Sequence, residues 1–407
     1  MTTVPARGRF SFAGLAFALG VLILGTNLPS PLYSVYAQRF GFSPLTITLI
    51  VSVYVVTLVP ALLVCGSLAD SAGPRFVLLP ALVIAVAGAV VFATAGSTVW
   101  LFVARALQGV AVGAASGPLV AALVATEPTG NHGRASFVGS LVTTVGAGAG
   151  PVFAGALAQY APAPLVLSFV VEIVLLLVAF RAVLTLPARA RSGTRLHLRR
   201  PRIPAGTRGS FAVAAAVSFL SWAVAYIVLA LVPSYVESGL RTHNLLLGGA
   251  SSGMLLLCAA LAQVVFGRRR FPAMPAGLVL LIAGLAGIVV AGMLSSIPLL
   301  LVTVAVTGIG QGLGFLGALR RVNALAPAET HASVASAFYV VTYLGGGGPV
   351  IVVGLLAIPL GLVLAVQSAA LAVAAVCLVT LVVLLRHDRA RHPERPRRMP
   401  PVPSGEP

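Results

Sequence analysis

Charge is scarce in this chain. Of 407 residues, 8% are charged and 59% are hydrophobic. A water-soluble domain covers its surface with roughly 25% charged residues, so ordinary soluble packing is excluded and lipid must cover what water cannot. Lysine is missing altogether: all 26 basic residues are arginine, which we read as coding composition without functional meaning. Cysteine is limited to Cys65, Cys258 and Cys377, each isolated in an apolar run. That excludes a disulfide framework or a metal site built on cysteine spacing. The alternation of apolar and polar residues that a strand needs is also missing, as is any nucleophile–base pair, metal-ligand cluster or phosphate-binding loop. The expectation is a binding protein without cofactor or metal, and not an enzyme.

What the chain has instead is long apolar runs. They lie near 12–36, 44–68, 76–96, 98–125, 136–159, 163–185, 211–236, 245–266, 273–294, 297–325, 333–357 and 361–385. About 20 apolar residues cross a bilayer core as a helix, and only helices or closed barrels satisfy their backbone there. The fold class expected is therefore all-α integral membrane, with twelve crossings in two six-helix bundles. The boundaries are 1–185 for the first bundle, 186–210 for a linker, 211–385 for the second bundle and 386–407 for a disordered basic tail. Arg7 and Arg9 ahead of an apolar stretch imitate a signal peptide, but the run is long and has no small-residue cleavage site.

Arginine placement orients the chain. Eight arginines fall between Arg181 and Arg208. With both termini cytoplasmic, 23 arginines lie on the cytoplasmic side, two outside (Arg39, Arg241) and one, Arg105, within a span. This is the positive-inside asymmetry. The net charge of +18 thus serves topology, and no nucleic-acid partner is expected. The expected location is the cell membrane, with the bilayer as partner and a monomer as the working unit.

Two fragments recur across the linker. Gln108-Gly109 returns as Gln311-Gly312, and Gly150-Pro151-Val152 returns as Gly348-Pro349-Val350, in matching runs and in the same order. A parallel repeat of two six-span halves is a transporter layout. Further, Gly66 to Leu78 reads GSLADSAGPRFVL, the fourth run holds ARALQGVAVGAASG, and the fifth holds GAGAGPVFAG. Together these resemble the major facilitator superfamily over nearly the whole chain, and the last resembles the Gly-Pro signature of its drug/proton antiporter branch.

That resemblance implies roles for particular residues. Asp70, Gly73 and Arg75 would form a conformational latch between the halves, with a thinner charge network because Ser71 and Pro74 replace frequent basic residues. Arg105 would line the cavity, with Gln108 continuing its helical face. Asn27 stands where many proton-coupled exporters carry an acid; an amide hydrogen-bonds but carries no proton. Pro29 and Pro31 should kink the end of that span. Runs one, four, seven and ten would line a weakly polar, partly aromatic pocket with Trp222, Tyr226, Thr307 and Gln311. Gly146, Gly150 and Pro151, with Gly348 and Pro349, would form the seam on which the halves rock. Glu172 is the sole carboxylate deep in a run and the candidate for proton coupling, with a structural role as the competing reading.

The expected function is secondary active transport by alternating access, exporting a small amphipathic or aromatic compound, with proton antiport as the coupling the resemblance implies. Gradient-driven uptake or facilitated diffusion of a small solute is the first alternative. A non-transporting membrane sensor or scaffold is the second.

Overall fold

The computed structural model describes residues 6–186, 207–239, 244–267, 269, 271–325 and 331–391. Among these the long elements are α1 (Ala6–Asn27), α2 (Tyr33–Phe40), α3 (Pro44–Ala72), α4 (Pro74–Ala93), α5 (Thr98–Ala125), α6 (His132–Tyr160) and α7 (Leu167–Leu184). They continue with α8 (Arg208–Gly239), α9 (Leu245–Phe266), α10 (Ala273–Met293), α11 (Ile297–Leu325) and α12 (His331–Arg391). No strand occurs among the described residues.

Two departures from one helix per crossing have clear causes. The first crossing is divided: Pro29 and Pro31 lack the N–H a helix interior needs, so α1 stops at Asn27. A 3-10 turn, Ser30–Leu32, then hands over to α2. The last long helix is the reverse case. Its apolar stretch Ala337–Ala390 holds 54 residues, about 80 Å at 1.5 Å per residue, against a hydrocarbon core of about 30 Å. Gly361, at φ 75° and ψ 162°, turns the chain so that α12 crosses twice. A left-handed φ of this kind favours a residue without Cβ. Twelve crossings result among the described residues, as expected.

Apolar side chains face outward as well as inward. Leu177, Val178, Leu378 and Val379 are each more than half exposed, which in a soluble protein would be an aggregation surface and here is the lipid face. Inside, helices approach through glycine. A Cβ at Gly109 on α5 would overlap the Tyr54 carbonyl oxygen of α3, and one at Gly312 on α11 would overlap the Ala259 carbonyl oxygen of α9. The Gln-Gly pairs that recur in the sequence therefore do the same packing in each half.

Elements α1–α7 form one half and α8–α12 the other. They meet where α6 packs on α9 and α12 packs on α3. Gln159 Oε1 accepts from the Leu245 N–H at 2.8 Å, and Ser52 Oγ donates to the Gly347 carbonyl at 3.0 Å. Ser30 Oγ donates to the Leu229 carbonyl. These bonds lie from mid-depth towards the far end of the bundle, the end bearing loops 41–43, 161–166 and 294–296.

At the opposite end the chain differs from expectation at one segment. Residues 386–391, expected in the tail, continue α12. His387 Nε2 lies 3.0 Å from Ser210 Oγ, and Asp388 pairs with Arg321, and these partners account for the extra turn. Most of the linker (187–206) and the rest of the tail (392–407) lie outside the described residues.

The glycine seams predict a graded response. Gly109→Val or Gly312→Val should lower stability by about 1–3 kcal/mol or more through overpacking against backbone. Gly348→Ala, where a Cβ would have nothing within 4 Å, should leave the melting temperature in detergent unchanged or slightly raised, since alanine is the better helix former.

Candidate functional site

The break in α1 sets up the site. The last carbonyls of any helix have no intrahelical partner, and inside a membrane water does not supply one. Here α5 supplies it. Arg105 Nη1 donates to the Thr26 carbonyl at 2.6 Å, and Gln108 Nε2 donates to the Gly25 carbonyl at 3.1 Å. The guanidinium is completed by Gln108 Oε1 at 3.0 Å from Nη1 and by the Tyr33 hydroxyl at 2.5 Å from Nε. It lies 5.5 Å from the ring centroids of both Tyr33 and Tyr54. Arg105 is 6% exposed and Gln108 3%. The cation also meets the negative end of the α1 dipole. Asn27 joins the cluster locally, its Nδ2 donating to Thr26 Oγ1 at 2.9 Å and to the Ile23 carbonyl at 3.3 Å.

Glu172 lies on the other side of the same strip of α1. It is 3% exposed, and a Cβ at Gly25 would fall 2.6 Å from its Cδ. The seventh helix thus turns its acid inward onto α1. Its Oε2 has no hydrogen-bond partner. Arg105 makes its hydrogen bonds to Thr26, Gln108 and Tyr33, so the two charges are held apart by α1 and do not form a contact pair.

The second half contributes an aromatic layer. Trp222 lies 5.9 Å from Tyr226 and 5.8 Å, edge-on, from Phe315, measured between ring centroids. Trp222 packs against the apolar clusters of both halves. Gln311, one helical turn before Phe315 and 2% exposed, shares that residue's side of α11. Thr307 does not. It is fully buried, its hydroxyl donates to the Thr303 carbonyl at 2.7 Å, and a Cβ at Gly284 of α10 would overlap its Oγ1. The expectation that Thr307 lines the pocket is corrected: a short residue at that register lets α10 and α11 close together.

The glycines of the fifth crossing also divide differently from expectation. Gly146 packs on Gly20 and Gly150 on Leu24, both within the same half. Besides Gln159, the residues of α6 that touch the other half include Gly148, Pro151, Val152 and Gly155, against Gly253, Leu257, Gly249 and Leu245 of α9. In α12 the contacts across the halves come from Gly347, on Val55, and Gly354, on Leu45 and Thr48. A Cβ at Gly348 would touch nothing within 4 Å. Small residues populate adjacent faces of one helix, and the sequence does not say which face meets which neighbour.

At the loop after α3, Gly73 takes φ 89°, ending α3 and starting α4. Arg75 Nη1 donates to the Leu186 carbonyl at 3.1 Å, tying the start of α4 to the segment after α7. The side chain of Asp70 lies outside the described residues. A residue not anticipated from sequence holds the next loop on this side. Glu127, 7% exposed, accepts from the N–H groups of Thr129 (2.8 Å) and Asn131 (2.7 Å) and from Arg134 Nη1 (3.2 Å). Desolvation pushes its carboxyl up, but the bonds from Asn131 and Thr129, together with Arg134, outweigh that and hold it below its ordinary value. The run Glu127-Pro128-Thr129-Gly130-Asn131, rich in turn and capping residues, was the available signal.

Two outcomes follow. Arg105→Lys presents a point charge that does not reproduce the planar donor set. Each buried group left unpaired should cost about 1–3 kcal/mol, read as a lower unfolding midpoint in detergent; a midpoint matching the wild type would contradict the packing described. For Glu127, a depressed carboxyl contributes stability above its unfolded value and loses it as pH falls through its folded value. Glu127→Gln should therefore melt below the wild type at neutral pH, and the gap should close on acidification.

Comparison with known proteins agrees with this architecture. A family model described as Major Facilitator Superfamily matches residues 15–349. Proteins named "Putative multidrug resistance protein MdtD" from Klebsiella pneumoniae and Escherichia coli are each 32% identical over 163 residues. That alignment covers 40% of this chain and 34% of theirs, about a third of their length. Among solved structures, a bacterial homolog of the human lysosomal transporter Spinster, in an inward-facing and occupied conformation, superposes with TM-score 0.76 at 13% identity. It covers 95% of this chain and 98% of its own. The human organic anion transporter MFSD10 (TETRAN) gives 0.64 at 18% identity, over 93% and 99%. At these identities the likeness is one of fold. With the family model matching residues 15–349 and the helical layout agreeing, the chain belongs to the Major Facilitator Superfamily.

Proposed function

We propose that this protein exports small amphipathic or aromatic compounds across the cell membrane by alternating access, in exchange for protons. The observation that carries the reading is the seam between the halves. Two half-molecules meet through glycine-to-backbone contacts from mid-depth to one end, beside a buried arginine and a layer of tyrosine and tryptophan. Contacts between small residues allow close approach with little side-chain interlock, which suits surfaces that must part and re-form. The aromatic layer suits a flat, apolar substrate with a polar edge.

Arginine placement supports putting the termini in the cytoplasm, so the seam closes the outer end and this conformation opens inward. On this reading Trp222, Tyr226 and Gln311 meet the substrate from one half, and Arg105, Gln108 and Asn27 hold the facing wall. The Asp70, Gly73 and Arg75 turn would engage as a latch when the cytoplasmic end closes, in the opposite state. The name shared by the aligned relatives, multidrug resistance protein, supports the substrate class.

The test uses the full chain in proteoliposomes loaded with ethidium, an amphipathic aromatic cation, or with an anionic aromatic dye of similar size. Efflux accelerated by an imposed pH gradient is expected, with stabilisation of detergent-solubilised protein of about 2.7 kcal/mol at probe concentrations near one hundred times Kd. Inward movement down the probe's own gradient, indifferent to pH, would favour uptake or facilitated diffusion. No flux of either dye and no stabilisation would favour a sensor or scaffold.

A further inference from the structure

Glu172 and Ser168 lie one turn apart on α7 and so share a face. Both are buried, at 3% and 0% exposure, and Glu172 Oε2 and Ser168 Oγ both have no hydrogen-bond partner. Buried polar atoms are normally satisfied, and each exception asks for a reason. The other acids in the described segments have different settings. Glu127 is fully engaged in its loop, Asp388 pairs with Arg321, Asp70 lies at the end of α3, and Glu237 lies two residues from the end of α8. Glu172 alone is deep in a span.

Its surroundings are specific. α7 packs on α1, α4 and α6. Towards α1 the carboxyl occupies the space a side chain at Gly25 would fill. The adjoining layer towards α4 is the stacked pair Phe92–Phe169, with ring centroids 4.9 Å apart. The ionisable residues of these neighbours lie at helix ends: Arg7 and Arg9 on α1, Arg75 on α4, and His132, Arg134 and Tyr160 on α6, with Arg181 near the end of α7 itself. Tyr36 of α2 donates to the Phe92 and Leu165 carbonyls, at 3.0 and 3.5 Å. Arg105, bonded to the Thr26 carbonyl, is the other ionisable group beside this stretch of α1.

Deepening the exporter reading, on which its transport role rests, we propose that Glu172 is the proton-binding group and that residues 25–27 of α1 link its charge to Arg105. The step is simple: the carboxylate takes a proton from water on one side and returns it on the other, with no other bond made or broken. An ionised carboxylate here is attracted by Arg105 but poorly solvated; the neutral acid needs no solvation but loses that attraction. Neither form is locked by hydrogen bonds to Oε2, so small shifts of α1 against α7 decide which is favoured. Because Arg105 and Gln108 grip the Thr26 and Gly25 carbonyls from the other side, such a shift reaches the wall of the pocket. The missing acid at Asn27 is then supplied from α7.

Infrared titration of the detergent-solubilised full chain tests this without a substrate. A protonated-carboxyl band should grow as pH falls and be lost in Glu172→Gln, which keeps side-chain volume. Gly25→Ala keeps the acid but puts a methyl group where the carboxyl lies, so the band should persist with its midpoint moved by about one pH unit. That variant carries the test if Glu172→Gln does not fold. In ethidium-loaded proteoliposomes, Glu172→Gln should abolish the acceleration of efflux by a pH gradient. A titration unchanged in both variants overturns the proposal. So does a midpoint displaced when choline is exchanged for sodium at constant pH, which would indicate a metal-cation site instead. A titration lost in Glu172→Gln from a protein that moves neither dye would leave the proton site standing and refute the exporter reading.

Discussion

A guanidinium buried in a membrane protein must be solvated by protein, and the first half is arranged around that requirement. Pro29 and Pro31 end α1 early, which exposes carbonyl groups where no water reaches them. Arg105 and Gln108 supply the donors. The broken helix and the buried cation would each be costly alone. Together they satisfy one another, and Tyr33, carried by the resumed helix α2, completes the set. The same geometry brings α5, α1 and α7 into one stack, with the arginine on one side of α1 and the acid on the other.

Around this fixed cluster the glycines do two different jobs. Gly109 and Gly312 hold helices together inside each half, against Tyr54 and Ala259. Gly148, Gly155, Gly249 and Gly253, with Gly347 and Gly354, let one half lie close on the other. Contacts of the first kind make each half behave as a body. The second kind, supplemented by few cross-half hydrogen bonds among the described residues, joins the bodies without interlocking them. The proposed alternating access would need that contrast, and it arises from which face of α6 and α12 each glycine occupies.

Part of the buried cluster was legible in the sequence. Arg105 and Glu172 stand out because a charge within a span needs a reason, Gln108 continues the helical face of Arg105, and Trp222 was implied by the family resemblance. Thr307 was misassigned because a threonine that bonds to its own preceding turn has the same spacing as one that lines a pocket. Gly146 and Gly150 were misassigned because small residues are spread around α6, and periodicity alone does not name the neighbour across each face. Nothing in the spacing singles out Glu127, since its partners assemble only when the turn closes.

What the sequence by itself determined is the number of crossings and the pairing of two like halves, because hydrophobic length and repeated fragments are properties of the chain alone. The arginine bias, a property of the same kind, carries the expected orientation. Tertiary structure decided which half each glycine touches, that Thr307 faces α10, and that Glu172 turns inward against Gly25. The physical reason is that a helix in lipid tolerates apolar residues on every side. The amphipathic stripe that marks the buried face of a soluble helix is therefore weak here, and only packing against particular neighbours assigns the faces.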